Sequence, residues 1–144
     1  MTQEEKDLLL KDLCSRLPYG VKVEIYNHWR DDYEDETLTL ENYAKLINTF
    51  SVGDIKPYLF PLSSMTEEQL AELKEFADLK YEHNTLELVE WGWNNTYKTL
   101  EFWLEEIPSY CVIKVFDWLD KNNFDYRGLI PMGLAIDATH KNIY

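Results

Sequence analysis

The sequence predicts an α+β fold: a small antiparallel sheet packed against about three helices, in a single domain spanning residues 1–144. Three observations carry that expectation. Segments near the start and middle pair a helix-capping signal with apolar residues recurring every three or four positions. The run Val21-Lys22-Val23-Glu24-Ile25-Tyr26 alternates apolar and polar, the period of a strand with one buried face. No repeat, linker or low-complexity tract interrupts a chain of ordinary domain length.

The first helix begins at a T-x-x-E capping box, Thr2 with Glu5, and carries Leu9, Leu10, Leu13 and Leu17 as one apolar stripe. Pro18 and Gly20 stop it. Val21, Val23 and Ile25 then face one side of a sheet. The acidic stretch 31–36 reads as a loop, and alternation resumes over 37–40, so a hairpin is the simplest arrangement. Residues 42–52 fit a helical face through Tyr43, Leu46, Ile47 and Phe50, and equally a strand near their end. Gly53 and Asp54 mark a turn.

Two prolines four apart, Pro57 and Pro61, argue against a helix interior or a central strand, so 56–62 is expected as an extended crossover. Thr66 and Gln69 form a second capping box, followed by a helix with Leu70, Leu73, Phe76, Ala77 and Lys80 on one side. The stretch 84–107 steps by three or four like a helix, yet Gly92 and Asn94-Asn95 sit within it. Two strands joined at Asn94-Asn95 are the favoured reading. Pro108 opens a further helix with Val112, Ile113, Phe116 and Leu119 on its face, ended by Asn122-Asn123. The tail, from Phe124 to Leu134, is apolar enough to pack back on the core.

Composition excludes several classes. With 27 acidic and 14 basic side chains the net charge is −13. Such a surface repels phosphate backbones and anionic membranes, so direct nucleic-acid binding is not expected. Either the charge only solubilises, or it complements a partner protein with a basic surface. No stretch approaches the ~20 apolar residues of a membrane span, and the acidic N-terminus does not resemble a signal peptide. The expected location is the cytoplasm, with Cys14 and Cys111 reduced.

No catalytic, cofactor or metal site can be nominated. The acids at 31–36 are bunched, broken only by Tyr33, and lack the spacing and the glycine of a calcium loop. His28, His83 and His140 have no ligand partner at zinc-site spacing, although folding could bring His28 to an aspartate. Cys14 occupies a core-cysteine position late in the first helix, and Cys111 opens a helix without an adjacent histidine. Glycine is too sparse for a phosphate loop, and no cofactor is expected. The tail offers Phe124, Tyr126 and Arg127 as a candidate partner-binding patch, since Tyr and Arg are hot-spot types. The competing reading has Arg127 pairing with a carboxylate to fix the tail, with Gly128 permitting the bend.

Three blocks, MTQEEKDLLLKDLCSRLPYGVKV, DIKPYLFPLSSMTEEQ and FDWLDKNNFDYRGLIPMGLAIDA, resemble a family of small uncharacterised proteins from anaerobic gut bacteria and their phages or mobile elements. The resemblance implies a mobile-element context and carries over no site residues. The expected function is a non-enzymatic interaction or accessory protein, one version being an acidic inhibitor of a host nucleic-acid or defence enzyme. A small-ligand binder or enzyme, and a structural or assembly protein, are the alternatives.

Overall fold

Helix α1 (Gln3–Arg16) starts as its sequence dictates. The Thr2 hydroxyl accepts the Glu5 amide at 3.1 Å, and the Glu5 carboxylate accepts the Thr2 amide at 2.7 Å. Each bond satisfies a first-turn donor that the helix leaves open. The structure, a computed structural model, describes residues 1–77, 86–91, 97–102 and 109–144, with backbone alone for 86–91, 97–102 and 109. The class is α+β, and the chain divides into two units, Met1–Leu59 with Arg127–Tyr144, and Phe60–Tyr126.

In the first unit, strands β1 (Val21–Asn27) and β2 (Asp32–Leu38) form an antiparallel hairpin, followed by α2 (Tyr43–Thr49). The acidic stretch is therefore strand β2 and not a loop. Among the described residues β2 pairs only with β1, and its side chains are largely exposed on both faces as far as Leu38, so no apolar alternation is needed. The ambiguous segment 42–52 resolves into α2 and a 3₁₀ turn at Val52–Asp54.

Strand β3 (Ile55–Pro61) corrects the crossover expectation. It pairs antiparallel with β1 through residues 55–57 and parallel with β7 (Ile136–Asp137) through Tyr58 and Leu59. The prolines fit because successive backbone groups point to opposite edges of a strand. The Tyr58 carbonyl faces the β1 side, where it meets a group bound to Lys22, and the Leu59 carbonyl takes the Ala138 amide on the other side. Pro57 shares the edge of Leu59, so its missing N–H costs the β1 ladder nothing. Pro61, an even number of residues further, shares that edge too.

Leu9, Leu13 and Leu17 of α1 and its exit turn pack against Val21, Val23, Ile25, Leu38, Ile55 and Leu59, and the tail closes this core with Leu129, Leu134 and Ala135. The tail thus packs inward as expected. Gly128 lies at φ +77, a left-handed turn that glycine adopts without penalty.

In the second unit, α3 (Glu67–Phe76) begins at the predicted Thr66 and Gln69 box. Strands β4 (Leu86–Trp91) and β5 (Tyr97–Phe102) pair antiparallel, which is the favoured reading of that stretch. Its proposed Asn94-Asn95 turn, Lys80, His83 and Pro108 lie outside the described residues. Helix α4 (Ser109–Lys121) packs Cys111, Val115, Trp118 and Leu119 with Leu62, Met65, Leu73, Ala77 and Phe124. Phe76, expected on the packed side of α3, is exposed. Strand β6 (Phe124–Asp125) pairs parallel with residues 60–61 of β3. The sheet pairing is thus mixed and not purely antiparallel, with four α-helices among the described residues. None of them is long and apolar enough to cross a membrane.

Candidate interaction site

Asn27 ends β1 with its side chain buried, and its Oδ1 accepts the amides of Trp29 at 3.0 Å and Arg30 at 3.3 Å. This Asx-type turn, with Asp31 at φ +52, folds the hairpin tip tightly. The turn projects Trp29 outward, 75% exposed, with its ring 6.0 Å from that of Phe50. Arg30 reaches back to Glu34 and lies 3.6 Å from Asp32.

The inner face of the hairpin carries Val21, Val23 and Ile25 into the core, so the outer face carries Lys22, Glu24 and Tyr26. The register places Tyr33 opposite Tyr26, Asp35 opposite Glu24, and Lys56 of β3 on the far side of Glu24. Tyr33 is 67% exposed, its ring 5.1 Å from Tyr26. An open depression of about 250 Å³ lies here, lined by Glu24, Tyr26, Tyr33, Gly53, Asp54 and Lys56.

Two titratable arrangements border it. The His28 Nε2 sits 2.9 Å from the Asp54 Oδ1, 26 residues along the chain, and the Ser51 hydroxyl donates to the Asp54 Oδ2 at 2.6 Å. Partial burial pushes the Asp54 carboxyl upward, but the bonds from Ser51 and His28 outweigh it and hold it below its ordinary value. Deeper in, the buried Tyr58 hydroxyl lies 2.8 Å from Asp35 and 3.2 Å from Glu24. Burial first, then the two carboxylates, pushes its phenol well up. Beside His28, whose ring meets Tyr26 edge-on at 4.6 Å, the Tyr26 hydroxyl bonds Asp31, which raises its pKa.

Local spacing could not reveal the His28 and Asp54 pair, because sheet pairing creates it. The order of groups is not that of a nucleophilic relay. There the hydroxyl bonds the imidazole, whereas here Ser51 bonds the carboxylate. His28 is also largely in water, with 65% of its side chain exposed. Among the described residues no three ligating side chains converge as a metal site.

The tail residues named from sequence fall in separate surroundings. Phe124 is 2% exposed, stacked on Trp118 at 5.6 Å. The half-buried Tyr126 donates to Asp120 at 2.8 Å, with its ring 5.1 Å from Phe116. Arg127 donates to the buried Asp12 at 2.8 Å and to Ser15 at 3.2 Å, the carboxylate pairing that the competing reading of the tail describes. Asp12 also receives both the Nε and Nη2 of Arg16 at 2.9 Å, so one fully buried carboxylate bonds two guanidinium groups. Cys14 is exposed and 3.4 Å from the Tyr43 hydroxyl, which corrects its reading as a core residue: the apolar stripe runs through Leu9, Leu13 and Leu17, and Cys14 lies off it. Cys111 is buried. Elsewhere, α4 exposes Tyr110 and Ile113.

Comparison of this chain with protein families, with curated proteins and with solved structures finds no match.

Proposed function

We propose that this is a non-enzymatic interaction protein that engages a partner protein through its β1–β2 hairpin, as an accessory of a phage or mobile element. The observation carrying this reading is the exposure of Trp29 and Tyr33 on one hairpin, with Arg30 between them in sequence. Trp, Tyr and Arg are the residue types that dominate binding energy at interfaces. Large rings left this far in water add nothing to the core and are the groups that a contact surface uses. The acids of β2 add a sign. Asp32, Glu34 and Glu36 alternate along one face and Asp35 lies on the other, which suits a basic partner.

The reading is tested by affinity capture from bacterial lysate with wild-type protein and with a Trp29→Ala/Tyr33→Ala variant, folding being checked by circular dichroism. The expected result is a specific partner with a basic surface, retained by the wild type and lost by the variant. Retention by the variant, with loss on Ile113→Ala, would move the docking surface to α4 and overturn the proposal.

A further inference from the structure

Resting on that reading, we infer that the outer face of the hairpin seats one arginine side chain of the partner, its guanidinium held by Glu24 and Asp35 and stacked on Tyr33.

The first observation is two carboxylates sharing one side-chain donor. Glu24 and Asp35 stand directly opposite on adjacent strands, an arrangement in which like charges repel. Both lie within bonding reach of the same Tyr58 hydroxyl, which has one proton and so donates to one carboxylate at a time. Among the described residues neither forms an ion pair, although Lys56 is the cross-strand neighbour of Glu24. A guanidinium brings five donors in a planar fork matched to carboxylate oxygens.

The second observation is the ring beside them. Tyr33 lies two residues before Asp35 on the same face, two-thirds exposed, and with Tyr26 it walls the depression. A flat cation over an aromatic face is attracted by the ring quadrupole, more so for arginine, which also stacks. The depression has room for a single side chain at about 250 Å³. The third observation is the field. Glu24 and Asp54 line the depression with Lys56, and Asp31 and Asp35 bond the Tyr26 and Tyr58 hydroxyls beside it, so acids outnumber the lysine and the mouth favours positive charge. Lys56 is exposed, and its long stem lets the ammonium swing into water.

The test is a heteronuclear NMR titration of the full chain with a blocked arginine tripeptide, with lysine and glutamate tripeptides as comparisons. The expected result is saturable shifts at Glu24, Tyr33 and Asp35, roughly tenfold tighter for arginine than for lysine. The shifts should be lost in Glu24→Gln/Asp35→Asn, whose amides keep the shape and remove the charge. Shifts spread over the whole acidic surface, equal response to lysine, or unchanged binding in that variant would overturn the inference. In the capture experiment, a partner lost by Trp29→Ala/Tyr33→Ala but kept by Glu24→Gln/Asp35→Asn overturns the arginine seat and leaves the docking surface standing.

Discussion

The hydroxyl of Tyr144 joins Lys22 to the neighbouring strand: it accepts the Lys22 amide at 3.0 Å and donates to the Tyr58 carbonyl at 2.9 Å. Lys22 and Tyr58 are the next positions after the last paired residues of β1 and β3. Where the two backbones diverge, a side chain supplies the bond that the ladder would otherwise lose. Tyr144→Phe removes it and leaves an amide and a carbonyl seeking water. The expected cost is about 1 kcal/mol, a typical value for one such site, read as a lower midpoint in denaturant with an unchanged slope.

The same phenol gives an alkaline signature. Burial of the hydroxyl pushes its pKa up to about 12, from 10.0 when free. A raised phenol pKa means that the unfolded chain loses its proton first. Its contribution to stability is full below 10.0 and is lost as pH rises towards the folded value. Thermal midpoints between those limits should fall more steeply for the wild type than for Tyr144→Phe. Parallel curves would show that the bridge is not formed in solution.

Arg16 and Arg127 both hold Asp12, but not equally. Arg16→Ala removes two bonds from a carboxylate with no access to water, and the expected loss is about 3–5 kcal/mol. Arg127→Ala leaves the Arg16 fork in place and should cost about 2 kcal/mol, within the usual range for a bond to a charged group. Chemical denaturation of both variants checks the order. Arg127→Ala with unaltered stability would mean that the pair with Asp12 does not help to hold the tail.

Asp54 should titrate below the ordinary carboxylate value of 3.8. A lowered folded pKa contributes stability above the unfolded value, and that contribution disappears as pH falls through the folded one. The gap in melting temperature between wild type and Asp54→Asn should therefore be present at neutral pH and close in strong acid. In His28→Gln, carboxyl NMR should find the Asp54 titration moved upward, since one of its two side-chain donors has been weakened.

Much of the local structure was legible because local chemistry dictates it. Both capping boxes form as spaced, and Leu9, Leu13 and Leu17 face the core. Failures came where tertiary pairing decides. The acids of β2 look like a loop until the exposure of both its faces is known, since a strand with no buried face before Leu38 has no demand for alternation. Pro57 and Pro61 look like strand breakers until the edge that each faces is known. Asp12 and Arg16 are charged yet fully buried, which spacing along α1 does not reveal, and Arg127 lies 115 residues from its carboxylate partner. His28 meets Asp54 only through the pairing of β1 with β3. The hairpin site escaped for a related reason: sequence reveals aromatic content, but only folding decides which rings stay outside.

The open side of β2 also bears on how the protein behaves when concentrated. Among the described residues nothing pairs with its outer amides and carbonyls, and such a row is a template on which further copies can assemble into fibrils. Laid against its own kind, this strand would bring Asp32, Glu34, Asp35 and Glu36 of two molecules together, and repulsion between them holds the copies apart. The safeguard is therefore ionic and not steric. Acidification or strong salt should weaken it, with thioflavin fluorescence rising under those conditions in wild-type protein and rising at neutral pH when the four are replaced by Asn and Gln.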